Sequence, residues 1–81
     1  MEKYLYNVSL NGKSVLMEQT GEDEPHATKA VAEKMREHLT DRHTADHPIV
    51  ITAYRGSFTG NPISVRVLYR FNGDTFCHPK D

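Results

Sequence analysis

The side chains with most chemistry to offer are the histidines. Five occur in 81 residues, and His38, His43 and His47 fall beside Asp41 and Asp46 in one polar stretch. Imidazoles and carboxylates bind metals and carry protons near neutral pH. His43 and His47 have the i, i+4 spacing of two ligands on one helical face, but the residues between them, Thr44-Ala45-Asp46, lack the glutamate of a His-Glu-x-x-His hydrolase. A structural zinc shared with Cys77-His78 would call for paired cysteines, and Cys77 is the one cysteine in the chain. Histidines after a helix are accounted for by the negative end of its dipole. No metal site and no catalytic residue is therefore expected.

Two smaller constellations fail similarly. Cys77 and His78 would pair as nucleophile and base only if both pointed one way, and adjacent residues of a strand point to opposite faces. Glu22-Asp23-Glu24 form an acidic knot that could mimic phosphates, yet acids at a helix start already have a sufficient role there. Gly12, Gly21, Gly56, Gly60 and Gly73 are isolated turn glycines, with no phosphate-cradling loop among them. No cofactor is expected.

The elements that would position these residues read clearly in places. Tyr4, Tyr6, Val8 and Leu10 alternate with Leu5, Asn7 and Ser9, and Asn11-Gly12 supplies the two positive-φ positions of a type I′ turn. A two-residue loop sets Leu10 opposite Lys13, Val8 opposite Val15, Tyr6 opposite Met17 and Tyr4 opposite Gln19. Turn and hydrophobic pattern then agree on one buried face. Asp23 or Glu24 caps a helix with Pro25 in its first turn, running to about Asp41. Its apolar stripe, Ala27, Val31, Met35 and Leu39, is narrow and suits one helix lying across one sheet.

After a polar loop, Pro48 to Tyr54 reads as a strand rich in β-branched residues, broken by Gly56, Gly60, Asn61 and Pro62. The next strand alternates Ile63, Val65, Val67, Tyr69 and Phe71 with Ser64, Arg66, Leu68 and Arg70. The first set is expected against the core and the second on the open side. Asn72-Gly73 then turns the chain into a short return strand, with Tyr69 opposite Phe76 and Leu68 opposite Cys77. The expected architecture is α+β, ββαββ(β): an antiparallel sheet of four to five strands with one helix packed on one face.

The opposite sheet face should be open. It would carry Leu5, Asn7, Ser9, Ser14, Leu16 and Glu18, then Arg66, Leu68 and Arg70, with Tyr54 depending on the register of the third strand. Arginine and tyrosine are enriched in interface cores. A solvated face of an antiparallel sheet also carries such residues without binding anything.

Composition limits the remaining choices. Eighty-one residues make one small domain, residues 1–81, with a core too thin to close a water-free active site. No window approaches the roughly 20 apolar residues of a membrane span, and the opening residues show neither an apolar leader nor a cleavage site. With a lone free thiol, this points to a cytoplasmic protein. The formal charge is −1. Residues 1–47 carry −3 and residues 48–81 carry +2, from six basic against nine acidic and four basic against two acidic side chains. A phosphate-tracking domain would be more basic.

Tyr4 to Leu39, with its strand, Asn11-Gly12-Lys13, second strand, Thr20-Gly21 and a helix carrying Ala27, Ala30, Ala32 and Leu39, resembles the second half of a double-stranded RNA-binding domain. That family's helix opens on Lys-Lys-x-Ala-Lys. This chain has Glu24-Pro25-His26-Ala27-Thr28 there, with Lys29 the nearest cation, and its later strands depart from the family's order. In style the chain also resembles the small inhibitors of phages and mobile elements, anti-CRISPR proteins among them, which share no motif and act by occupying a partner's surface.

The function expected from all this is a non-enzymatic binding module, an inhibitor that blocks a bacterial protein complex. Its partner-binding residues would be Tyr54, Arg55, Phe58, Arg66, Leu68 and Arg70, with Phe58 on the loop from Arg55 to Asn61 either tucked in or offered to the partner. The alternative is a nucleic-acid-binding regulator using the same face. A homodimer through an edge strand or the open face fits the same architecture.

Overall fold

The structure, a computed structural model, describes residues 1–80. Five strands, β1 (Glu2–Leu10), β2 (Lys13–Gly21), β3 (Ile49–Arg55), β4 (Ser64–Phe71) and β5 (Asp74–Pro79), form one sheet in the order β2-β1-β3-β4-β5. Every neighbouring pair is antiparallel. One helix, α1 (Glu24–Met35), crosses between β2 and β3 on one side of the sheet and ends in a 3-10 turn, Arg36–His38. The α+β arrangement expected from the sequence is the one observed.

Both Asn-Gly turns fold as their residue types require. Asn11 and Gly12 have φ of 47° and 97°, and Asn72 and Gly73 have 52° and 82°, the left-handed pair that a type I′ hairpin needs. The first hairpin pairs Val8 with Val15 and Tyr6 with Met17. The second pairs Tyr69 with Phe76 and Leu68 with Cys77.

The Asp23 carboxylate caps α1 by accepting from the backbone N–H of His26 at 3.0 Å, and Pro25 sits in the first turn. The helix is shorter than its apolar spacing suggests. Leu39 has turned to extended backbone, although its side chain remains in the core. The core joins the helix stripe Ala27, Val31, Ala32 and Met35 to Tyr4, Tyr6 and Val8 of β1, Ile49, Ile51 and Ala53 of β3, and Leu68 of β4.

The face assignment of β4 is the main correction. Antiparallel partners share a face, and Ile51 and Ala53 are committed to the helix side by their pairing with Val8 and Tyr6. Their partners across the next ladder are Arg66 and Ser64, while Ile49 pairs with Leu68. Ser64, Arg66, Leu68 and Arg70 therefore lie on the helix side, not on the open side. Val65, Val67, Tyr69 and Phe71 face away from the helix.

Candidate functional site: the open sheet face

The face opposite α1 is unusually apolar for a surface left uncovered. Pairing brings Leu16, Asn7, Thr52 and Val65 into one row across it, Leu5 and Tyr54 into a second, and Val50, Val67 and His78 into a third. Tyr69 and Phe76 extend it on the β4–β5 hairpin. Leu16 is 63% exposed, Phe71 60%, Phe76 40% and Phe58 38%.

Aromatic contacts organise its two ends. Phe58, on the connection between β3 and β4, meets Tyr54 edge-on at 5.4 Å and with Leu5 and Leu16 borders a shallow depression. At the other end Tyr69 stacks on Phe76 at 5.6 Å and meets the His78 ring edge-on at 5.5 Å. His78 Nδ1 lies 3.0 Å from the Pro79 carbonyl, which can only accept, so Nδ1 carries the proton. Nε2 is then the acceptor for the Tyr69 hydroxyl at 2.9 Å. Rings held by such contacts lose little further freedom when a partner covers them.

Charge is sparse here. Lys3 and Glu18 pair with each other at 3.6 Å on the β1–β2 side. Alternation puts Asp74 and His78 on the β5 side, and no strand arginine lies on this face.

Of the six side chains expected to bind a partner, Tyr54 and Phe58 stand on this face, brought together by their ring contact. Leu68 does not: it is 0% exposed and belongs to the core. Arg66 and Arg70 lie on the helix side, where Arg70 Nη1 is 3.4 Å from Asp41 Oδ1. Arg55 ends β3, with its guanidinium 5.8 Å from the centre of the Tyr4 ring and 3.6 Å from Glu2. Its pairing with Tyr4 puts it on the helix side too. Phe58 resolves its two alternatives by doing both: it packs against Tyr54 and keeps about a third of its surface, 38%, in solvent.

Tyr69 and Phe76 are functional candidates that residue-type reasoning did not single out. The second Asn-Gly turn already implied the Tyr69–Phe76 pairing. What it could not supply was the face on which that pair lies.

His43 and Glu24 are occupied structurally. His43 is buried, and its Nδ1 accepts the Thr40 backbone N–H at 3.0 Å. Its carbonyl accepts from the Arg70 backbone N–H, which ties the polar loop to β4. No three metal-ligating side chains converge among the described residues. Glu24 of the acidic knot is buried rather than displayed. It accepts from the Thr28 hydroxyl at 3.0 Å and from Ser64 Oγ. Thr28 spends its one proton on Glu24, so the buried Tyr6 hydroxyl donates to Thr28 Oγ1, 3.0 Å away. Burial pushes the Tyr6 phenol up from its ordinary pKa, and the Thr28 contact acts against that.

No family model, curated protein or solved structure matches the chain.

Proposed function

We propose that the protein is a non-enzymatic binding module that acts by covering a partner protein with its open sheet face, an inhibitor of a bacterial protein complex in the manner of small phage and mobile-element inhibitors. The observation that carries this reading is the outward direction of the apolar set of β4. Leu16, Phe58, Phe71 and Phe76 alone expose an area of roughly 400 Å². Added to Leu5, Tyr54, Val65 and Tyr69, this supports the apolar centre of a standard interface of about 800 Å² per partner. The partner's surface should be apolar and weakly charged, because a partner rich in charge would meet no counter-charges in the middle of this face.

The nucleic-acid alternative loses its footing. It relied on Tyr54 together with the arginines of β4, and Tyr54 lies on the opposite side of the sheet from Arg66 and Arg70. Stacking beside one lysine, Lys3, that is already paired with Glu18 is a poor basis for binding a phosphate backbone.

The test is capture by the tagged protein from bacterial lysate, with and without nuclease, read by mass spectrometry and alongside sedimentation of the purified chain. One stoichiometric protein that survives nuclease and raised salt is the expected result. Loss of every partner on nuclease treatment would contradict the reading. A tight dimer that captures nothing would contradict it too and assign the face to self-association.

A further inference from the structure

A second concave surface lies on the other side of the sheet. Helix α1 packs over β1 and β3, while β4 and β5 continue past it and leave a groove of about 330 Å³ between the helix and the second hairpin. That volume sits at the lower end of small-molecule sites. Pro25, Ala32 and Cys77 give it an apolar lining over the buried Leu68, and Lys29, Arg36 and Arg66 bring three cations to its walls. One lining acid, Glu33, answers them, 4.0 Å from Arg36 Nε and largely in solvent.

Arg66 is the unusual member. It is half-buried, its Nε is buried without a hydrogen-bond partner, and its guanidinium has no ion-pair or hydrogen-bond acceptor among the described residues. A guanidinium cannot shed its charge at physiological pH, so a half-buried one without an acceptor is costly. The neighbouring acid on the helix, Glu24, is already occupied by the Thr28 and Ser64 hydroxyls. Lys29 is likewise in no ion pair among the described residues. Arg36 and Arg66 line the groove together with Cys77, one from the helix side and one from β4.

We propose that this groove binds a small organic anion: an oxyanion head, carboxylate or phosphate monoester, on an aliphatic body. The head sits among Arg66, Arg36 and Lys29, where a guanidinium offers paired donors to two oxygens. The body lies along Pro25, Ala32 and Cys77. An apolar lining excludes a bare inorganic ion as the best ligand, and three cations exclude an uncharged lipid or alcohol. The site is on the opposite side of the sheet from the protein-binding face and does not depend on it.

The experiment is two-dimensional NMR of the full chain, following backbone amides and the arginine Nε–Hε signals. It uses titrations of octanoate, octyl phosphate, octanol and acetate. Saturating shifts of the Arg66 Nε–Hε and of the Leu68 and Cys77 amides with octanoate or octyl phosphate are expected, and whichever saturates at lower concentration identifies the head group. Octanol and acetate should each bind at least about tenfold more weakly, since each lacks one half of the recognition. Arg66→Gln should weaken the anion by about tenfold. Lys29→Gln, on an exposed helix position, should weaken it several-fold and serves if Arg66→Gln loses its dispersed spectrum. Arg42→Gln, outside the groove, should change nothing. The proposal is overturned if neither anion gives saturating shifts, if octanol matches octanoate, or if Lys29→Gln binds as wild type.

Discussion

Leu68 and Leu16 carry the same side chain on opposite faces of one sheet, and they should answer mutation in opposite ways. Leu68 touches α1, β3 and β5 neighbours with no solvent contact, so Leu68→Ala opens a cavity in a thin core and should cost about 2–5 kcal/mol. Leu16 stands in solvent, and Leu16→Ala should stay within about 0.5 kcal/mol. Urea denaturation of the two variants reads the difference directly. A second prediction concerns the helix cap. His26 Nδ1 lies 2.6 Å from Asp23 Oδ1. The Asp23 hydrogen bond raises the His26 pKa above its ordinary 6.5, and the bonds from His26 hold Asp23 below its ordinary 3.8. The stabilisation from raising His26 is complete below pH 6.5 and fades as pH climbs through the raised value. The stabilisation from lowering Asp23 is complete above pH 3.8 and fades as acid passes the lowered value. The cap should therefore be firmest between those limits. The difference in thermal melts between His26→Ala and wild type should be largest at pH 5 and shrink as pH rises through the raised His26 pKa.

At the scale of elements, close approach decides what can be changed. A Cβ on Gly21 would lie 2.9 Å from the Ala27 backbone nitrogen and 3.0 Å from its Cβ. The end of β2 and the first turn of α1 touch there through backbone, which cannot swing aside as a flexible side chain would. Gly21→Ala should cost about 1–3 kcal/mol by overpacking, measurable as a lowered Tm. Local chemistry of this kind is also what made the hairpins legible. Asn11-Gly12 and Asn72-Gly73 admit one turn geometry, the turn sets the register, and the register pairs Tyr6 with Met17 and Tyr69 with Phe76 without reference to the rest of the chain. The helix start was readable from Asp23 and Pro25 for the same reason. Its end was not, because Leu39 keeps the four-residue spacing and enters the core from extended backbone. The face of β4 was least legible. It depends on the pairing of Ile49 with Leu68 across the irregular connection at Gly56, Gly60 and Pro62, and both faces of that strand bear apolar residues. Alternation shows that a strand has an apolar face; it does not show which partner covers it.

Across the whole molecule, the thinness of the core explains why each side of the sheet keeps an unfilled surface. A single twelve-residue helix covers β1, β3 and part of β4 and leaves two surfaces unfilled. One is the apolar face away from the helix, with Tyr54, Phe58, Tyr69 and Phe76; the other is the cationic groove beside the helix, with Arg66 at its wall. Among the described residues no helix is long and apolar enough to cross a membrane. The tight Tyr69–Phe76–His78 cluster and the Tyr54–Phe58 contact hold that face in shape before anything meets it, the condition under which a small surface binds firmly. The most direct measurement of the central claim is affinity for the captured protein after charge is placed on either side of the sheet. Leu16→Asp with Phe76→Asp puts two carboxylates on the open face, and Arg70→Glu reverses a charge on the helix side. The expected result is at least about a hundredfold loss with the first pair, near 2.7 kcal/mol, with Arg70→Glu close to wild type and both variants melting cooperatively. Retained affinity in Leu16→Asp/Phe76→Asp together with loss in Arg70→Glu would contradict it and move the interface to the helix side.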